Sequence, residues 1–299
     1  MIYAVQKQPL KNGEIMAYRE ENTKSNAPVL LLIHGNQSSS LYYEHLMQDL
    51  KTEAHIYAID MMGFGESSYN HQHTTMKDWA EDVALFMEEK HISSAIVLGW
   101  SAGGGTALEL AACYPEKVSH LILMASVGVK GFRLAARDEK GNILEGQFLS
   151  KREDIIKDPQ TMIPITNAIE SKDVKFLHWV WEKTIFNLNP PIDSDFDAYM
   201  NEIIKERCFV DISVALCQFN ITDEKALVEG SGRINNITCP VTWIHGKKDI
   251  IVAYAVGEDS IRYFKNGNLY PIEDAGHASF IDQPNIFNKK LIEIIHNTK

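Results

Sequence analysis

Ser101 stands in Gly99-Trp100-Ser101-Ala102-Gly103, directly after the apolar run Ala95-Ile96-Val97-Leu98 and just before a helical pattern of Ala107, Leu108, Leu110, Ala111 and Ala112. A serine hydroxyl attacks poorly at neutral pH unless a base, usually a histidine oriented by a carboxylate, takes its proton. The chemistry open to such a set is acyl transfer through a covalent serine intermediate. A strand running into Gly-x-Ser-x-Gly and straight on into a helix predicts a turn so tight that Ser101 is strained. Residues two before and two after it must then lie too close to strand and helix for side chains, which accounts for Gly99 and Gly103. Three successive glycines at a helix start cost on the order of 1 kcal/mol each in propensity. Close packing of helix on sheet explains Gly104 and Gly105, but not a serine between glycines at a strand end.

The partners of Ser101 are expected in loops beyond the carboxyl ends of later strands. The run Val241-Thr242-Trp243-Ile244-His245-Gly246 leads through Lys247-Lys248 to Asp249, and a strand at 268–272 leads through Glu273-Asp274-Ala275-Gly276 to His277. The chain order Ser101, Asp249, His277 is the one expected for an α/β sheet carrying this turn. Asp274 and Asp282 are rivals for the acid, but a carboxylate three to five residues from His277 rarely gains the right angle on the ring. Asp60, at the end of another strand, suits tying down the backbone amides of the Gly-rich loop that follows. His34 and His245 precede glycine in turns and read as structural, while His71, His73, His91 and His296 sit in polar segments and read as solvated. An oxyanion needs donors, each worth about 10²–10³ in rate. One is the backbone N–H of Ala102 at the helix N-terminus. The other is expected from the loop after His34-Gly35, from the N–H of Asn36 ahead of that of Gln37. Trp100 is expected to line a substrate pocket beside the serine, with Gln37, whereas Phe176, Trp179 and Trp181 fit ordinary packing of an inserted segment on the core.

These residues must be positioned by a sheet. Asn12-Gly13 followed by an alternating run at 15–21 predicts an opening antiparallel hairpin. The fully apolar stretch at 29–33 reads as a strand covered on both faces. A helix at about 41–51, a strand at 55–60, a loop containing Gly63 and Gly65, and a helix near 75–90 follow; in the last, Met76, Trp79, Ala80, Val83, Phe86 and Met87 recur at helical spacing. Thr75 and Asp78 form a capping-box pair at its start. After a strand at 119–126 the alternation stops. No apolar strand is evident until 239, and the stretch reads as helices and loops. A strand at 268–272 and a helix at 285–297 close the chain. The pattern predicts an α/β fold with a mostly parallel sheet flanked by helices, a core from 1–127 and 230–299, and a helical cap at 128–229.

Bulk properties narrow the function. The 299 residues are 45% hydrophobic and 23% charged, ordinary for a soluble globular protein. A formal net charge of -11 argues against a nucleic-acid partner. The four cysteines, Cys113, Cys208, Cys217 and Cys239, lack metal-ligand or CxxC spacing and suit a reducing compartment. The N-terminal residues form no apolar signal segment, and no stretch is long enough for a transmembrane helix, so a cytoplasmic location is expected. No metal site, P-loop or dinucleotide fingerprint is present, so no cofactor is expected.

Gly-Trp-Ser101-Ala-Gly-Gly, His34-Gly35-Asn36, Asp60-x-x-Gly63-x-Gly65-x-Ser67, Gly246-x-x-Asp249 and Gly276-His277 together resemble the α/β-hydrolase superfamily. The resemblance spans residues 1–127 and 230–299 and implies that the insertion is a cap. Residues 12–20 with the glycine-rich turn resemble intracellular short-chain polyhydroxyalkanoate depolymerases of Gram-positive bacteria. His-Gly-Asn-x-Ser-Ser with Gly-Trp-Ser-x-Gly-Gly is also similar to N-acyl-homoserine lactone lactonases of this fold. Dehalogenases and epoxide hydrolases of the superfamily carry Asp where Ser101 stands. The resemblance implies hydrolysis of a carboxylic ester, of polyhydroxybutyrate type or a small acyl ester, by Ser101, His277 and Asp249. Lactone hydrolysis, C–C bond hydrolysis and ligand sensing through an intact triad are the alternatives it leaves open.

Overall fold

In the computed structural model, which describes residues 2–23 and 27–298, the apolar runs become the middle of an eight-stranded sheet. In chain order the elements are β1 (Gln6–Pro9), β2 (Ile15–Glu21), β3 (Val29–Ile33), α1 (Glu44–Leu50), β4 (His55–Ile59), α2 (Met76–Glu89), β5 (Ala95–Trp100), α3 (Ala102–Cys113) and β6 (Val118–Met124). An intervening segment follows, with β7 (Ala135–Arg137), β8 (Ile143–Phe148), α4 (Arg152–Ile155), α5 (Met162–Glu170), α6 (Val174–Lys183), α7 (Asp193–Ile203) and α8 (Phe209–Cys217). The chain then returns with β9 (Val241–Gly246), α9 (Tyr254–Ile261), β10 (Gly267–Ile272), α10 (Ser279–Asp282) and α11 (Pro284–Asn297).

The strand order is β1-β2-β4-β3-β5-β6-β9-β10. The opening hairpin pairs antiparallel, and β2 pairs antiparallel with β4; the remaining pairs are parallel. Alternation along each strand divides the core in two. Leu31, Ile33, Val97, Leu123 and Trp243 pack on one face with α2 and α3, while Leu30, Leu32, Leu98, Met124 and Ile244 pack on the other with α1 and α11. Both faces are apolar because helices cover both, the usual condition of a parallel sheet. The capping box at Thr75 and Asp78 forms at the start of α2.

Two local readings of the sequence need correction. The stretch between β6 and β9 contains a two-stranded antiparallel ribbon, β7 and β8, around a turn in which Asp138 accepts the N–H groups of Lys140 and Asn142. Its residues are exposed or half-buried, so it carries no core face and no hydrophobic alternation for a sequence reading to detect. His73 is buried rather than solvated. Its ring lies between the Asp82 carboxylate of α2 and Trp79.

Candidate active site

The strand β5 is buried at every position and stops at Ser101, whose backbone sits at φ 54° and ψ −116°. A non-glycine residue there is strained. It is held by its N–H donating to the Met124 carbonyl at 3.0 Å and by its own carbonyl accepting from Gly104 and Val127. The neighbouring glycines are sterically required. A Cβ at Gly99 would collide with the Gly103 carbonyl, and one at Gly103 with the carbonyls of Ile33 and His34. A Cβ at Gly35, beyond β3, would come 3.1 Å from the Ser101 Cβ. The ends of β3 and β5 are therefore pressed together at the serine.

The loops after β9 and β10 meet in the same way. A Cβ on Gly246 would strike the carbonyls of Ala275 and Gly276, and the Lys248 N–H donates to Ala275 O at 2.9 Å. This contact brings Asp249 to His277, residues 28 apart in sequence, with Nδ1 of the ring 2.9 Å from Asp249 Oδ2. The other carboxylate oxygen, Oδ1, accepts the N–H groups of Ile251 and Val252 at 2.8 and 2.9 Å. Burial alone would raise the Asp249 carboxyl, but the imidazoles of His277 and His245 outweigh it and hold the group well below the usual carboxylate range. Asp249 is thus a fixed anion.

The rival acids have other duties. Asp274 pairs with Lys248 at 2.7 Å on the surface. Asp282 accepts the Gly276 N–H at 2.7 Å and the Asn189 N–H at 3.2 Å, tying the His277 loop to the segment between β6 and β9. Asp60 accepts from the backbone of Ser40 and Glu66 and from the Ser40 hydroxyl. His34 is fully buried, accepts the Met61 N–H at 3.0 Å, and is pushed by burial down to about 4, so its ring is neutral.

Ala102 opens α3, so no carbonyl lies one helical turn before it to take its N–H. In the loop after β3, the Gln37 N–H donates to Asn36 Oδ1 at 3.1 Å, and Gln37 takes a left-handed φ of 52°. Behind that loop, Glu206 is buried. The Gln37 N–H faces it, yet neither carboxyl oxygen has a hydrogen-bond partner among the described residues, and burial holds the carboxyl protonated far above its ordinary range.

Ser101, His277, Asn36, Gln37, Trp100 and Ala102 all line one cavity of about 540 Å³. Its walls from the intervening segment are mostly apolar, among them Leu134, Met162, Ile165, Trp181 and Phe209, with Arg133, Gln160, Thr161, Thr184 and Ser213 as the polar members. Trp100 is buried, and its indole N–H donates to the His277 carbonyl at 2.9 Å, so one side chain both lines the cavity and fixes the histidine's backbone. Phe176, Trp179 and Trp181 reach the cavity too. Trp181 does so from within the packing, against Tyr42 and Phe186, and Trp179 with 57% of its surface exposed. Among the described residues no group of three or more His, Cys, Asp or Glu could hold a metal ion, and no helix is long and apolar enough to cross a membrane.

The sequence reading took His245 as structural without seeing its place beside the acid, and passed over Glu206. His245 lies four residues before Asp249 and on the same strand face as Trp243, a spacing visible in the sequence. Glu206 gives no such signal, since its burial comes from distant parts of the chain.

A family model for the alpha/beta hydrolase fold matches residues 28–171. Over 256 residues the chain is 27% identical to the pimeloyl-[acyl-carrier protein] methyl ester esterase of Neisseria meningitidis serogroup C, covering 86% of this chain and 89% of that one. Among solved structures it is similar to an esterase from Exiguobacterium antarcticum (TM-score 0.76, 17% identity, 98% of this chain and 100% of the other). It is also similar to the esterase RhEst1 from Rhodococcus sp. ECU1013 (TM-score 0.71, 22% identity, 99% of each chain). With a mostly parallel sheet in this strand order and a strained serine between β5 and α3, the chain adopts the α/β-hydrolase fold.

Proposed function

We propose that the protein is a serine esterase that cleaves a carboxylic ester, of polyhydroxybutyrate type or a small acyl ester, through an acyl-enzyme. One observation carries the reading: His277 is oriented by the Asp249 anion through Nδ1 at 2.9 Å, and its ring opens with Ser101 on a single apolar cavity. With Nδ1–H committed to the carboxylate, Nε2 is the nitrogen left to take a proton from Ser101.

In the mechanism, His277 deprotonates Ser101 as its oxygen attacks the ester carbonyl, and Asp249 stabilises the imidazolium. The developing oxyanion accepts the N–H of Ala102 and of Asn36. Asn36 is preferred over Gln37 because the Gln37 N–H is already turned onto Asn36 Oδ1. Collapse of the tetrahedral intermediate breaks the ester C–O bond, and His277 gives its proton to the departing alcohol. Water, deprotonated by the same ring, then releases the acid. Residues 128–229 act as a cap over the cavity, whose volume lies within the range of ligand sites, about 300–1,000 Å³. The apolar walls suit the acyl chain, with the alcohol side left at the mouth. The esterase names of the relatives support an ester rather than a C–C bond as the scissile link.

The test is hydrolysis of p-nitrophenyl esters of increasing acyl length, hydroxybutyrate oligomers and an N-acyl-homoserine lactone by wild type and Ser101→Ala, with mass spectrometry after a fluorophosphonate probe. Chain-length-dependent turnover, the label on Ser101, and a loss of about 10⁴-fold or more in the variant are expected. Labelling without turnover of any ester would point to a sensor or a C–C hydrolase. Absence of the label would refute the mechanism.

A further inference from the structure

Asp249 Oδ2 has a second imidazole on it. His245, fully buried at the end of β9, places Nε2 3.1 Å from Asp249 Oδ2 and 2.8 Å from the Val252 carbonyl. Its other nitrogen, Nδ1, lies 3.1 Å from Trp243 Nε1. An indole N–H can only donate, so Nδ1 must present its lone pair and the one ring proton must sit on Nε2. The tautomer follows from the partners. Helix α9 seals the pair: a Cβ on Gly257 would fall 2.8 Å from both His245 Nδ1 and Trp243 Nε1.

We propose that His245 is a positioning residue, a neutral imidazole locked as its Nε2–H tautomer by Trp243, that fixes and tunes the Asp249 carboxylate on which His277 depends. Its N–H is shared between the Val252 carbonyl and Asp249 Oδ2, so it joins the loop that carries the acid to the acid itself. Because Oδ2 also accepts from His277, the two rings divide one oxygen. Removing the His245 donor leaves the carboxylate a stronger acceptor for His277, favours the imidazolium, and moves the titration of His277 to higher pH.

The charged and titratable groups facing this network are few. Tyr254 of α9 meets the His245 ring edge-on, with centroids 5.7 Å apart. Asp282 lies behind Gly276, where burial raises its carboxyl. Trp100 flanks His277 and carries no charge. None of these supplies a donor to Oδ2 in place of His245.

The inference rests on Asp249 and His277 being the relay pair, and the experiment reads that pair without substrate. The ¹⁵N-imidazole NMR titration of His277 is compared in wild type, His245→Leu, His245→Gln and Trp243→Phe, alongside the acid limb of kcat/KM for p-nitrophenyl butyrate. Leu lacks a donor, whereas Gln can offer an N–H near the Nε2 position and an oxygen to Trp243. The Leu variant is expected to titrate about 0.5–1 pH unit higher, with the acid limb moving equally, and the Gln variant to return both towards wild type. Trp243→Phe is expected to lose the pure Nε2–H signature of His245 and to shift His277 in the same direction, which decides the matter if Leu prevents folding. A His277 titration unchanged across the folded variants, or shifted equally by Leu and Gln, would overturn the proposal. A titration shift in a protein that turns over no ester would sustain the role of His245 while the esterase reading fails.

Discussion

Glu206 gives a prediction whose size follows from its surroundings. Its carboxyl is buried, has no hydrogen-bond partner for either oxygen among the described residues, and is held protonated far above the ordinary range by burial. In the unfolded chain the same group ionises near its ordinary value of 4.5. Between those two points the native state holds one proton more than the unfolded state, so stability must fall as pH rises. The slope is about 1.4 kcal/mol per pH unit for one proton. Glu206→Gln removes the titration while keeping shape and polarity. The expected outcome is that the variant's stability, measured by urea unfolding, gains on wild type as pH rises, by at most about 1.4 kcal/mol per pH unit, over the interval above the ordinary carboxylate range in which Glu206 stays protonated. Parallel stability curves over that interval would show that Glu206 is ionised in the native state, with a partner the described contacts do not provide, and the reasoning would fail.

Asp249→Asn is expected to lower kcat by about 10³–10⁴-fold and to lower the thermal midpoint as well, because the amide cannot charge-stabilise the imidazolium and its NH2 meets N–H donors where a carboxylate oxygen accepted them. Stopped-flow ester hydrolysis and thermal unfolding on the same preparation check both parts. Gly103→Ala drives a methyl group into the carbonyls of Ile33 and His34, neither of which can retreat without breaking the sheet end. Denaturant titration should show a loss of about 1–3 kcal/mol or more, and fluorophosphonate labelling of Ser101 should slow because the turn that presents it is displaced.

Much of this molecule is legible in the chain. The run 95–105 dictates a buried strand, a strained serine and a helix, because only glycine fits where β3, β5 and α3 converge. The apolar strands at 29–33 and 241–246 announce a sheet covered on both faces, and Asp249 and His277 are findable because strand ends in such a sheet gather at one edge. Spacing could not reveal what that edge does with the residues it gathers. The pairing of Asp249 with His277 depends on two loops meeting at Gly246, and the sharing of Oδ2 with His245 depends on Trp243 fixing a tautomer from below. The β7–β8 ribbon has no core face, so it leaves no periodic signal in the sequence, and His73 reads as polar because its buried partner, Asp82, comes from a helix nine residues on. Sequence determined which residues stand at the strand ends, since backbone geometry and apolar periodicity are local. Burial, partner and protonation state were decided only by the tertiary structure, because each is set by groups distant in the chain that share one low-dielectric space.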